Sequence, residues 1–159
     1  MKTSNQVFLI KVAYILVIFL ALAYNFSDMQ KGFYDGLNGV EPTEKFTFLS
    51  GAFLFLVTII GLAILANLYL FINSIQNTKV FTIINIKRIS TLGWYCILQS
   101  FLLYAFYFSK SDFSDGLTYQ SIITINFDFW LLIFGVTLLT IGFVFKKGIE
   151  LQQDQELTI

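Results

Sequence analysis

Asn67, Asn73, Gln99 and Ser100 are the residues best placed to do chemistry, because each interrupts a long apolar run. In hydrocarbon, an amide or hydroxyl either finds a partner across helices or lines a route for a polar ligand or ion. Thr137 and Thr140 offer hydroxyls in another such run. No acid joins them, since Asp128 falls at the extreme outer end of the last apolar stretch. A proton-coupled transporter is therefore disfavoured. A small channel or transporter, as a homo-oligomer, remains the alternative use of this polar patch. The chain has no His, which excludes Ser-His-Asp and Cys-His nucleophile arrangements and His-ligated metals. Cys96 is the single cysteine, so neither an intramolecular disulfide nor a cysteine-cluster metal site can form. The acids of the connections lack the tight Asp-x-Asp-x-Asp spacing of a cation loop. No phosphate loop, nucleotide fingerprint or metalloprotease helix occurs. The expectation is a non-enzymatic protein with no catalytic, metal or cofactor-binding residues and no cofactor.

The elements that position these residues are four apolar stretches, about 7–26, 46–75, 92–108 and 127–145. A helix rises about 1.5 Å per residue, so about 20 apolar residues cross a hydrocarbon core of about 30 Å. The composition agrees: 57% of residues are hydrophobic and 13% charged, too few charges to cover a water-facing surface. Nineteen Phe, eight Tyr and two Trp suit lipid-facing surfaces and interfacial belts. The fold class expected is all-α, a four-helix bundle in a membrane, and the chain is read as a single domain over 1–159. Net charge is zero and no large basic patch occurs, so direct nucleic-acid binding is not expected.

Charge assigns the sides. Lys2, Lys11, Lys79, Lys87, Arg88, Lys146 and Lys147 lie at the start, in the second connection and after the fourth stretch. Only Lys31, Lys45 and Lys110 lie in the first and third connections. The positive-inside rule then places both termini in the cytoplasm. Lys11, inside the first stretch, can snorkel to the headgroups. The first stretch has the basic start and Ala21-Leu22-Ala23 of a cleavable signal, but its apolar run continues to Phe26 and reads as a span. Gly32, Gly36, Gly39 and Pro42 in the first outer connection, and Gly116 in the second, favour turns and irregular backbone.

Thr82 before Ile83 reads as an N-cap, which extends the third helix to 83–108. Asn85 occupies the position where a capping box carries Glu or Gln. The fourth helix is expected over 127–151, with Lys146 and Glu150 at i,i+4. Gly135 and Gly142 face the same way on it, and Gly51 and Gly61 lie in the second helix. All four read as sites of close helix approach. The outer connections share Phe-Ser (26–27, 108–109) and Asp-Gly-Leu (35–37, 115–117), a match short enough to arise by coincidence.

Two segments carry a family resemblance. One is Val80-Phe81-Thr82-Ile83-Ile84-Asn85-Ile86-Lys87-Arg88-Ile89 with Gly93-Trp94, and the other is the terminal run from Phe145 to Leu157-Thr158-Ile159. Together they resemble the YoaS-like domain-of-unknown-function family of small bacterial membrane proteins, over the whole chain. Ile84 departs from that pattern, which often has an acid there. The resemblance implies a multi-pass protein of the bacterial inner membrane and no known activity. Because such genes often adjoin one for a small Cro/CI-type helix-turn-helix regulator, it suggests a cytoplasmic protein partner. A partner surface is then expected from Thr82, Asn85, Lys87 and Arg88 together with Glu150, Asp154, Glu156, Leu157 and Ile159. In it, Glu150, Asp154 or Glu156 would pair with Lys87 or Arg88. The bland counterpart is a tail that merely locks the helices together.

Overall fold

The computed structural model describes residues 3–39, 47–75, 82–111 and 125–156, and these form five helices. They are α1 (Thr3–Tyr24), α2 (Phe26–Leu37), α3 (Phe48–Ile75), α4 (Ile83–Lys110) and α5 (Phe129–Glu156). No strand occurs among the described residues. Four of the helices, α1, α3, α4 and α5, are long and apolar enough to cross a membrane. They match the four expected spans, and α4 starts at Ile83 as the cap predicted.

The first connection differs from its expectation. Gly32 and Gly36 do not make it irregular but lie inside α2. Interior glycine costs a helix about 1 kcal/mol relative to alanine. The opposing signal is the spacing of Phe26, Met29, Phe33 and Leu37, which repeats every three or four residues. That period prevails, and the turn comes only at Gly39, whose φ of +63° suits a residue without a Cβ. Pro42 and Gly116 lie outside the described residues.

The chain forms two compact units, Met1–Lys45 with α1 and α2, and Phe46–Ile159 with α3, α4 and α5. In the second unit α4 is central, packing on α3 and on α5. Its buried residues are Asn85, Ile86, Ile89, Leu92, Gly93, Cys96 and Ser100, one stripe at helical spacing. The other long helices are mostly exposed, with Phe48, Phe55, Trp130 and Phe143 among their outward side chains. Such a surface suits lipid, which is as apolar as the side chains themselves. Close packing and hydrogen bonds must then supply the specificity between helices.

Each described helix of the second unit starts on a side-chain cap. The Oγ1 of Thr47 accepts from the Ser50 amide at 3.2 Å, and the Thr82 side chain accepts from the Asn85 amide at 3.4 Å. An Asp128 carboxylate oxygen accepts from the Leu131 amide at 3.0 Å. A cap satisfies one of the first backbone N–H groups that have no partner in their own helix. Thr82→Ala and Asp128→Ala should each lower stability by about 1 kcal/mol. Thermal unfolding in detergent would show this, and two unchanged midpoints would remove the caps from the account.

Candidate functional site

The intramembrane polar patch does not assemble as one site. Asn67 donates through Nδ2 to the Ala63 carbonyl of its own helix at 2.9 Å. Asn73 lies exposed near the end of α3. Gln99 reaches across from α4 and donates through Nε2 to the Val57 carbonyl of α3 at 3.2 Å. Its Oε1 is buried and has no hydrogen-bond partner. Ser100, fully buried, donates in the other direction to the Asp128 carbonyl at 2.9 Å. Thr137 and Thr140 donate to the Ile133 and Val136 carbonyls of their own turns. Asn67, Gln99, Ser100, Thr137 and Thr140 thus donate to backbone carbonyls, Gln99 and Ser100 as links between helices.

The Ser100 contact also fixes the register of α5. Asp128 is level with Ser100, well before the end of α4 at Lys110. The sequence placed this acid at the extreme outer end of the last apolar stretch, and it caps α5 there. That helix starts part-way along its neighbour. Phe127 fills the step, with its ring 5.6 Å from that of Phe101 and 5.8 Å from that of Tyr104.

The tightest approach is between α4 and α5. A Cβ on Gly93 would lie 2.8 Å from the Gly135 carbonyl oxygen. A Cβ on Gly135 would lie 2.8 Å from the Gly93 carbonyl oxygen. A Cβ on Gly142 would lie 2.7 Å from the Ser90 Oγ. Gly135 and Gly142 thus serve as the close-approach sites their spacing suggested. Gly93, the partner of Gly135, was legible only as part of the family motif. Gly61 has a looser role, since a Cβ there would lie 3.9 Å from the Gln99 Nε2.

At the opposite end from Asp128, the candidate partner surface divides. Asn85 is buried, with 2% of its surface exposed, and belongs to the packing of α4. Arg88 donates through Nη1 to the Leu70 carbonyl at 3.1 Å, tying α4 to the end of α3. Glu150 pairs with Lys147 at 2.7 Å, an i,i+3 contact in place of the expected i,i+4 pair with Lys146. Thr82 caps α4, and Lys87 is exposed. Leu151 and Asp154 are exposed on α5, Glu156 ends that helix, and Leu157 and Ile159 lie outside the described residues.

Gly142 is level with Ser90, only seven residues from the start of α4, yet α5 runs fourteen residues further to Glu156. The end of α5 therefore overhangs the start of α4 by about 10 Å, at about 1.5 Å per residue. The same register brings Lys146 and Lys147 near the level at which α4 begins, in the region of Lys87 and Arg88. At the far end, an open groove is lined by Leu49, Phe53, Ala105, Phe108, Ser109 and Ser111. It lacks the converging polar anchors of a small-molecule pocket. Among the described residues no group of His, Cys, Asp and Glu could hold a metal ion.

Long apolar helices, helix-to-helix amide and hydroxyl bonds and a glycine crossing define a multi-pass, all-helical membrane protein. A family model described as a protein of unknown function (DUF2975) matches residues 7–159, so the chain belongs to that family. This bears out membership of a domain-of-unknown-function family, while the YoaS-like label stays a resemblance. No curated protein and no solved structure matches the chain.

Proposed function

We propose that this is a non-enzymatic, regulatory protein of the bacterial cytoplasmic membrane that holds a cytoplasmic protein on the overhanging end of α5. The observation that carries the reading is the overhang itself. Past the start of α4, α5 stays helical and presents Leu151, 63% exposed, beside the charged Glu150 and Asp154. An apolar residue framed by charges on a projecting helix suits a protein partner better than lipid tails. The basic residues near this end support placing it in the cytoplasm, with both termini inside. Lys87 is the exposed α4 residue best placed to join the surface. The family resemblance favours a small helix-turn-helix regulator as the partner, with the nucleic-acid contact left to that regulator.

The test is site-specific photocrosslinking in native membranes. A crosslinker at Leu151 should capture a cytoplasmic protein, whereas one at the lipid-facing Val144 should not. Glu150→Lys together with Asp154→Lys should abolish the capture without changing the thermal unfolding of the protein. Capture that survives the charge reversal would move the partner elsewhere. Crosslinks to lipid alone from Leu151 would overturn the reading and send the enquiry to ion or solute flux in vesicles.

A further inference from the structure

We propose that α2 is an interfacial helix that lies in the headgroup layer of the bilayer, with its apolar face turned into the lipid. It begins at Phe26, with only Asn25 between it and the end of α1 at Tyr24, so its start is tied to the surface where that span leaves the hydrocarbon. The polarity of α2 is divided lengthwise. Phe26, Met29, Phe33 and Leu37 fall on one face, with Gln30 and Tyr34 at its border. Asp28, Lys31 and Asp35 fall on the opposite face. The apolar residues are 61–67% exposed, and no residue of α2 is buried.

Such a helix needs support from outside itself. Twelve residues are marginal for a helix in water, and two of these are interior glycines. A lipid surface supplies the support without any partner chain, because burying one face in the boundary region stabilises the amphipathic helix over its unfolded form. Large aromatics on the apolar side match that boundary. The occupant is also continuous with what covers α1, whose Phe19, Leu20 and Leu22 are exposed just before it. The break at Asn25, where φ is −89° and ψ is 2°, provides the joint between a crossing helix and one that lies flat. The proposal needs α1 to cross the membrane and is independent of any partner at the end of α5.

The test uses the full chain with Cys96→Ala, reconstituted in vesicles of phosphatidylethanolamine and phosphatidylglycerol. Single spin labels are placed at Met29→Cys and Phe33→Cys on one face, and at Asp28→Cys and Lys31→Cys on the other. Relaxation by dissolved oxygen should dominate at positions 29 and 33. Relaxation by a water-soluble nickel chelate should dominate at positions 28 and 31. Equal access of the nickel chelate to all four labels would put α2 in water and overturn the proposal. Labels at 29 and 33 immobilised and shielded from both reagents would overturn it too, because a protein would then cover the face. Two positions per face keep the result readable if one label perturbs the helix.

Discussion

Gly135→Ala is expected to be one of the two most damaging single-methyl changes at the described glycines. The added Cβ would meet the Gly93 carbonyl oxygen and the Ile97 side chain, each at 2.8 Å. Backbone cannot rotate away as a side chain can, so α4 and α5 must separate. Overpacking of this kind costs about 1–3 kcal/mol, and a leucine in the same place should cost more. Gly93→Ala should match it, because its Cβ would strike the Gly135 carbonyl in return. The double variant should lose clearly less than the two losses added together, since one displacement of the helices relieves both clashes. Gly142→Ala should be milder, because the atom in its way is the Ser90 hydroxyl. Gly148→Ala provides the control. Nothing lies within 4 Å of its Cβ, and the better helix former should stabilise by up to about 1 kcal/mol. Unfolding in detergent across the series checks the ranking. A Gly135→Ala protein as stable as the parent would mean that the helices do not cross there.

The second large effect concerns Gln99, where two substitutions should diverge. In Gln99→Glu a carboxylate replaces the amide that donates to the Val57 carbonyl. Oxygen then faces oxygen, and a charge sits within the span, at a cost of about 3 kcal/mol on insertion-based scales. Gln99→Leu loses one interhelical hydrogen bond, a link of about 0.6 kcal/mol on average. It also removes Oε1, which is buried without a partner. Leaving such an atom unpaired is itself costly, so the leucine variant should be close to neutral. Unfolding of both variants would settle the sign. A leucine variant as damaged as the glutamate variant would show that the Gln99 link contributes more than a generic membrane hydrogen bond.

What the sequence conveyed followed from periodicity and length. Apolar runs long enough to span located four helices, and Thr82 located the start of α4 to the residue. Caps of the same kind at Thr47 and Asp128 carried the same signal, a polar side chain just before an apolar run. The helix α2 was hidden by its own glycines, which are common in turns and only weakly unfavourable in helices. Pairings between helices were the least legible part. Nothing local to Gln99 says that it will meet Val57, and nothing near Arg88 favours the Leu70 carbonyl over the acids of the tail. Register decides these contacts, and register follows from close approaches such as that of Gly93 and Gly135. For the same reason the candidate partner surface was legible only in outline. Exposure of Leu151 could be read only once the overhang of α5 was known.

The central position of α4 bears on how the protein is made. Its two packing neighbours are also the described helices before and after it along the chain. The α3–α4 hairpin can therefore close through Gln99 and Arg88 while α5 is still emerging from the ribosome. When α5 follows, it meets a finished template that already displays Gly93 and Ser100 along one side. Assembly of this unit needs no helix to wait in the bilayer for a distant partner, which shortens the time that buried amides such as Gln99 spend facing lipid alone.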